Sequence, residues 1–313
     1  MRWTGIFLLV FCAVLRAQQA SPQVSKSGVD LALAGHCTEA MPLLDAGMRD
    51  AAVPVDTKRT MALAGVRCAM SLNQQNDALS FVSWLQQAFP KDSEVLFLAV
   101  HVFNELSLRN ARELMDTAPD SPLVVELNAE NFEKQNELAK AIAEYRILLQ
   151  RVPDKPGIHF RIGGLIMSLP PTETSAAEAR KEFEQELKIN PQNAAAEYYL
   201  GELARQADRL EEAIQHFTRS TKLFPGFAEA YGGWGRSLLD SGKAAEAVSP
   251  LEAAVKLAPD NPTLHLALAT AYQRLGRKED AAREFAMQKS TAEKINQNTK
   301  TLHKNVSGAD TGK

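Results

Sequence analysis

The chain has 313 residues, of which 45% are hydrophobic and 23% are charged, and its formal net charge is -3 at pH 7. This balance is typical of an ordinary soluble helical protein. It lacks the polybasic block that binding to nucleic acid or to an anionic membrane requires, so we predict no nucleic-acid partner.

Residues 1–17 differ in character from the rest of the chain. Arg2 supplies positive charge, residues 6–15 form an apolar run, and Ala17 is a small residue that suits cleavage. This order is typical of a secretory signal peptide, with Ala20 as the latest cleavage site. The apolar run is about half of the roughly 20 residues that span a bilayer, so an uncleaved anchor is the weaker alternative. We predict a periplasmic or secreted protein with no membrane span after cleavage.

Two cysteines, Cys37 and Cys68, remain once the signal peptide is removed. They lie in two predicted helices that should pack antiparallel, with the start of one beside the end of the other. Export to an oxidising compartment then favours a disulfide between them. The alternative is a pair of buried free thiols. His36 lies next to Cys37, but no third ligand stands at a recognisable spacing, and we predict no metal site.

Residues 21–121 contain imperfect copies of one pattern. Ala40 and Leu44 mark the first copy, and Ala78 and Pro90 mark the second. A turn is expected at residues 75–77, where polar residues interrupt the apolar spacing. Residues 93–121 are expected to form a shortened copy, with one short helix following another.

Residues 122–292 repeat the pattern regularly, with a period of 34 residues and one loop lengthened by Pro170 and Pro171. Apolar residues at three- and four-residue intervals predict two amphipathic helices in each copy. The recurring residues are Leu200, Gly201, Ala213, Phe217 and Pro225, then Trp234, Gly235, Ala247, Leu251 and Pro259, and finally Leu268, Ala269, Ala281 and Phe285.

With these residues, the chain resembles a tetratricopeptide repeat protein. The resemblance implies an all-α fold, a right-handed superhelical solenoid of about eight antiparallel helix-turn-helix units. It also implies that the first helix of each unit lines a concave face. Residues 293–313 are predicted to be a polar capping helix followed by a disordered tail.

Projection of the repeat onto this face predicts a partner-binding surface. It comprises Glu126, Glu130, Glu133, Phe160, Tyr198, Glu202, Arg205, Arg236 and Arg274. The three glutamates share one helix face, where like charges repel unless solvent or a basic ligand relieves them. The surface thus changes from acidic through aromatic to basic along the chain. The alternative is a face that is merely solvated.

Signatures of nucleophilic, zinc-protease, phosphate-binding and dinucleotide sites are missing from the sequence, so we predict no enzyme and no cofactor. The leading interpretation is an exported adaptor that binds a protein or peptide in its groove. The alternative is an accessory or glycan-binding subunit of cell-envelope polysaccharide machinery, with Phe160 and Tyr198 stacking on sugars.

Overall fold

The computed structural model describes the backbone of residues 27–308 and the side chains of residues 27–301. The predicted signal peptide and the last five residues lie outside this range. Within it the chain forms helices and turns, without a strand. No helix of this range is long and apolar enough to cross a membrane.

Fifteen helices follow one another along the described residues, and they confirm the all-α repeat fold. They are α1 (27–33), α2 (Cys37–Arg49), α3 (Val55–Ser71), α4 (Gln75–Ala88), α5 (Ser93–Thr117), α6 (Pro122–Lys134), α7 (Leu138–Arg151), α8 (Ile158–Ser168), α9 (Ser175–Ile189), α10 (Ala194–Gln206), α11 (Leu210–Leu223), α12 (Ala228–Asp240), α13 (Ala244–Leu257), α14 (Pro262–Arg274) and α15 (Lys278–Gly308).

The chain divides into two compact units, Met1–Pro119 and Asp120–Lys313. In the first unit, α1 pairs with α2, α3 pairs with α4, and α5 packs against α4. In the second unit, five consecutive pairs run from α6 and α7 to α14 and α15. The last helix continues through residue 293, so no break separates the final repeat from the predicted capping helix.

Two expectations about the first unit are wrong. Residues 93–117 form one helix of 25 residues instead of two short ones. No glycine or proline interrupts this stretch, and the buried residues of its first half, Val95, Ala99, Val102 and Leu106, keep a helical spacing. The second wrong expectation is the turn at residues 75–77. The turn lies at residues 72–74 instead, because α4 already begins at Gln75, and Asn73 takes the left-handed conformation, with φ 59°.

Most turns inside a pair follow one rule, in which the first helix ends just before a residue of positive φ. Glycine, asparagine and aspartate tolerate this left-handed conformation best, and it satisfies the last carbonyls of the helix. The residues that adopt it are Gly35, Asn73, Asn136, Asp208, Gly242 and Gly276. The pair of α8 and α9 uses the longer loop at Pro170 and Pro171 instead.

Within a pair, a small residue of the first helix faces a large side chain of the second. Gly201 is in such close contact with Phe217 that an added Cβ would lie 2.8 Å from the ring. A Cβ on Gly235 would lie 2.4 Å from Leu251. Since Phe217 and Leu251 are fully buried, the pairs depend on these small residues for their close approach.

Two neighbouring glycines in α8 allow a matched test of this packing. A Cβ on Gly163 would lie 2.8 Å from the buried ring of Phe183, whereas a Cβ on Gly164 would meet nothing within 4 Å. Gly163→Ala is therefore expected to destabilise the protein by about 1 to 3 kcal/mol through overpacking. Gly164→Ala should stabilise it by up to about 1 kcal/mol, the difference in helix propensity. Urea denaturation of both variants measures this, and equal effects would contradict the packing.

Three pairs of the second unit are also joined by a histidine and a glutamate. Nδ1 of His159 lies 2.6 Å from Glu182, that of His216 lies 2.6 Å from Glu197, and that of His265 lies 2.6 Å from Glu284. In two of these pairs the histidine is on the first helix, and in the pair of α10 and α11 it is on the second. Each bond therefore links the two helices of one repeat, in one orientation or the other.

Candidate partner-binding surface

The predicted surface belongs to the second unit and lies on its first helices α6, α8, α10, α12 and α14. Neighbouring first helices contact one another, α10 with α12 and α12 with α14. The side chains of the predicted surface therefore lie on adjacent helices, where they can meet across repeats. The contacts that they make decide how much of the surface is free for a partner.

The three glutamates of α6 are paired with cations from the following repeat. Glu126 lies 2.9 Å from Nζ of Lys155. Glu130 and Glu133 lie 3.3 and 3.0 Å from the guanidinium of Arg161. The repulsion among the three carboxylates is thus relieved within the chain, without a basic ligand.

Besides its two glutamate partners, Arg161 bonds to a residue of α7. Its Nη1 also donates to the hydroxyl oxygen of Tyr145, at 2.8 Å. Burial raises the pKa of Tyr145, and nearby Glu133 raises it further, so the phenol remains neutral. The guanidinium is therefore held between α6, α7 and α8, and it stabilises their packing.

The basic end of the surface is organised around Glu202, whose side chain is 13% exposed. Its carboxylate lies 3.1 Å from Arg205 of the same helix and 3.4 Å from Arg236 of α12. Arg205 also approaches Asp240, at 3.8 Å. Arg274 donates to the carbonyl oxygen of Leu239 near the end of α12, where a cation complements the helix dipole.

These pairings leave a small charge at each end of the surface. Around α6 and α8, three carboxylates face two cations, Lys155 and Arg161, which gives a net charge of -1 (2 - 3). Around α10 to α14, the carboxylates Glu202 and Asp240 stand with Arg205, Arg236 and Arg274, which gives +1 (3 - 2) for these groups, and Glu229 at the start of α12 lies near Tyr198. The gradient from acidic to basic remains, but in a much weaker form than the bare sequence implies.

The aromatic side chains between the two ends form one connected cluster. Tyr198 lies 5.8 Å from Phe217 and 5.0 Å from Phe227, measured between ring centroids. Phe160 packs at 5.8 Å on both Phe183 and Tyr199. Phe160 and Tyr198 are therefore half-buried among neighbouring rings, and only part of each ring is accessible to a partner.

The hydroxyl group of Tyr198 stays neutral over a wide pH range. Burial, followed by the charge of Glu202, raises the pKa of Tyr198 to about 12. At neutral pH the phenol is thus a hydrogen-bond donor next to the basic end of the surface. Hydroxyl donors beside apolar ring edges are common in protein interfaces.

The residues named by the projection lie on first helices of the second unit, but the projection missed the side chains that pair with the charged residues. Lys155, Arg161 and Asp240 were not predicted, although Arg161 lies one turn into α8, next to the acidic face of α6. Tyr199 and Phe227 complete the aromatic cluster and were also missed. The adjacent residues Tyr198 and Tyr199 could have predicted this cluster. On a first helix, one of two adjacent residues can reach the candidate surface while the other reaches the interior of the repeat.

Two cysteines that were predicted to lie close together are joined in the structure. Cys37 at the start of α2 and Cys68 late in α3 form a disulfide, with their Cα atoms 4.9 Å apart. This bond belongs to the first unit and is separate from the candidate surface. His36 precedes it as an exposed turn residue, 3.8 Å from Glu39.

Comparison with known proteins identifies the repeats. Residues 175–226 and 238–294 match two family models, each described as a tetratricopeptide repeat. No curated protein matches the chain.

Solved structures agree in fold. MamA from Desulfovibrio magneticus RS-1, solved from residue 41 to its end, is 16% identical with a TM-score of 0.51, over 56% of this chain and 97% of that chain. A further MamA protein is 19% identical with a TM-score of 0.50, over 56% and 94% of the two chains. These likenesses show the fold alone. The chain therefore carries tetratricopeptide repeats.

Proposed function

We propose that the protein is an exported, non-catalytic adaptor that binds a protein or peptide along the first helices of its second unit. The observation that carries the proposal is the basic end of this surface, where three arginines face two carboxylates. The tyrosine hydroxyl and ring edges beside it supply the apolar and hydrogen-bonding groups that interfaces use.

The chemistry of this site favours a particular kind of ligand. A segment with an acidic group near Arg205, Arg236 and Arg274 would balance the remaining positive charge. An apolar side chain a few residues away would pack on the edges of Tyr198 and Phe227. The partner is thus expected to be a peptide segment that carries one apolar anchor next to one or more acidic residues.

A peptide-display experiment tests this function. Peptides selected on the wild-type protein should be enriched in acidic residues next to an apolar one. Arg236→Gln and Arg274→Glu should each raise the Kd of such peptides by at least about tenfold. The matched control is Arg283→Glu on α15, whose exposed side chain pairs locally with Asp280.

Three results would count against the proposed surface. One is equal weakening of binding by Arg283→Glu, and another is no weakening by either surface variant. The third is binding that does not depend on salt, because attraction between exposed charges is screened as ionic strength rises. Capture on a glycan array without peptide binding would instead favour the polysaccharide alternative.

Export is tested separately, by the mass of the mature protein from fractionated cells. Cleavage after Ala17 or Ala20, together with recovery from the periplasm or the medium, is the expected outcome. An intact N-terminus in the cytoplasmic fraction would contradict export. That result would not bear on peptide binding, which the peptide-display experiment tests independently.

A further inference from the structure

The aromatic cluster of the candidate surface continues to an exposed ring in the turn before α12. Phe227, the residue just before α12, lies 5.0 Å from Tyr198 and 6.0 Å from Phe224, measured between ring centroids. Phe224 lies between α11 and α12 and is 55% exposed. In the neighbouring repeats, the position of Phe227 is held by Asn193 and Asn261, whose side chains cap α10 and α14. This turn therefore carries an apolar ring in place of a capping side chain.

At the basic end, two arginines have more donors than the surrounding residues have acceptors. A guanidinium carries five N–H donors. Among the described residues, Arg205 and Arg236 each make one hydrogen bond, and both are to Glu202. Asp240 stands 3.8 Å from Arg205, beyond hydrogen-bond distance. The Nε atoms of both arginines are buried without a partner, which is unusual for polar atoms in proteins. A second carboxylate beside Glu202 would add acceptors for both side chains at once.

The charges along α12 distinguish its two ends. Glu229 in the first turn is exposed and lies near Tyr198, at the aromatic end. Arg236 lies about two turns further along the same helix, at 3.6 residues per turn. An acidic residue of a ligand is therefore repelled from the aromatic end and attracted to the basic end. An apolar anchor and an acidic group of one ligand thus belong at opposite ends of this part of the surface.

The rise of the helices sets the distance between these ends. Arg205 follows Tyr198 by seven residues on α10, and Arg236 follows Phe227 by nine residues at α12. At 1.5 Å per residue, these separations are about 10 and 14 Å along the helix axes. An extended peptide covers this distance in about three to four residues, at about 3.3 Å per residue. Since α10 and α12 contact each other directly, the space between them is too narrow for a helix, which is about 10 Å wide.

We propose that the ligand is an extended peptide that lies parallel to α10 and α12. Its apolar anchor contacts Phe224 and Phe227, and an acidic residue three or four positions away binds between Arg205 and Arg236. This binding mode rests on the proposed function and adds to it the path of the peptide and the spacing of the two recognised groups.

Peptides with a rigid spacer test the spacing. A leucine and an aspartate are separated by two, five or eight prolines, in both orders and with both termini blocked. Polyproline has three residues per turn and a rise of about 3.1 Å per residue. The two groups therefore stay on one side of the peptide, while their distance increases from about 9 to about 19 and 28 Å. Fluorescence anisotropy with the full chain should give the lowest Kd for two prolines, by at least about tenfold.

Two variants assign the two ends. Phe224→Ala should raise the Kd of the two-proline peptide by at least about fivefold, but not that of a peptide with alanine instead of leucine. Arg236→Gln should act in the same way on the aspartate, with asparagine as the comparison. The matched control is Leu257→Ala at the end of α13, where an apolar residue is 43% exposed. It should leave the Kd unchanged.

The failure of this binding mode differs from the failure of the proposed function. Equal Kd at all three spacings, or tightest binding with five or eight prolines, would overturn the extended path and leave the adaptor function in place. So would a chain that binds displayed acidic peptides but none of this series. Equal weakening by Phe224→Ala and Leu257→Ala would overturn the position of the anchor. A chain that binds neither the series nor any displayed peptide would remove the proposed function, and this binding mode with it.

Discussion

Replacing Glu186 by alanine is expected to lower the free energy of unfolding by about 2 to 6 kcal/mol, because its two closest donors, the N–H of Gly157 and Nδ2 of Asn193, lose their acceptor at about 1 to 3 kcal/mol each. The longer contact from the N–H of Phe160, at 3.4 Å, is lost with them. Glu186 lies on α9 and is fully buried. Both of its carboxylate oxygens accept from the N–H of Gly157, at 3.0 and 2.9 Å. Its Oε1 also accepts from Nδ2 of Asn193, at 3.2 Å.

The position of this carboxylate explains the size of the effect. Gly157 is the residue just before α8, and Asn193 caps the start of α10. One side chain thus satisfies donors at the beginnings of two first helices. A negative charge there also complements the dipole of α8. Its loss should loosen both helices together.

Urea denaturation measures this effect, with two comparisons. Glu186→Gln keeps an oxygen that can accept from both Gly157 and Asn193, so it should lose less than alanine does. Glu184→Ala, two residues earlier on α9, removes only an exposed pair with Arg180, worth at most about 1 kcal/mol. A Glu186→Ala variant as stable as Glu184→Ala would show that the buried carboxylate does not hold these helices.

Loss of the bond between Cys37 and Cys68 is expected to lower the stability of the first unit by about 3 to 4 kcal/mol, the chain-entropy value for such a loop. The two residues are separated by 31 positions. A covalent bond at this separation closes a loop in the unfolded chain and so lowers the entropy of the unfolded state.

Denaturation with and without reductant tests this contribution. The Cys37→Ala/Cys68→Ala variant should unfold at the same urea concentration with and without reductant. The wild type should unfold at a higher urea concentration than this variant when it is oxidised, and at a similar one when it is reduced. Two thiols that react with an alkylating reagent in the native oxidised protein would refute the bond. Because repeats stabilise mainly their neighbours, the signal of the second unit should change little.

The period of 34 residues was sufficient to predict the helical pairs of the second unit. Helix boundaries depend there on local chemistry that is visible in the sequence, such as Pro122 and Pro262 in first turns and the lengthened loop at Pro170. The residues of the candidate surface could be assigned to first helices for the same reason. Its charge could not, because ion pairs between repeats depend on side-chain reach across helices rather than on spacing within one.

Two unusual residues can be recognised in the sequence when the repeats are aligned. Val100 stands where the other first helices carry glycine or alanine, which agrees with residues 93–117 forming one helix instead of a helical pair. Glu186 stands 34 residues before the buried Ser220, so a charged residue occupies an interior position and must be bonded there. In both cases the departure from the repeat, rather than agreement with it, locates the unusual site.

The reversed histidine–glutamate pair has a consequence for how an array of similar helices avoids mismatching. If α10 paired with α15 instead of α11, Glu197 would face Glu284, and two carboxylates would share one buried place. If α14 paired with α11, His265 would face His216. Each wrong combination replaces an attractive contact by a repulsive or unsatisfied one. The reversed orientation of the pair in α10 and α11 thus disfavours exchange of these two helices with their counterparts in the other two repeats that carry a histidine–glutamate pair.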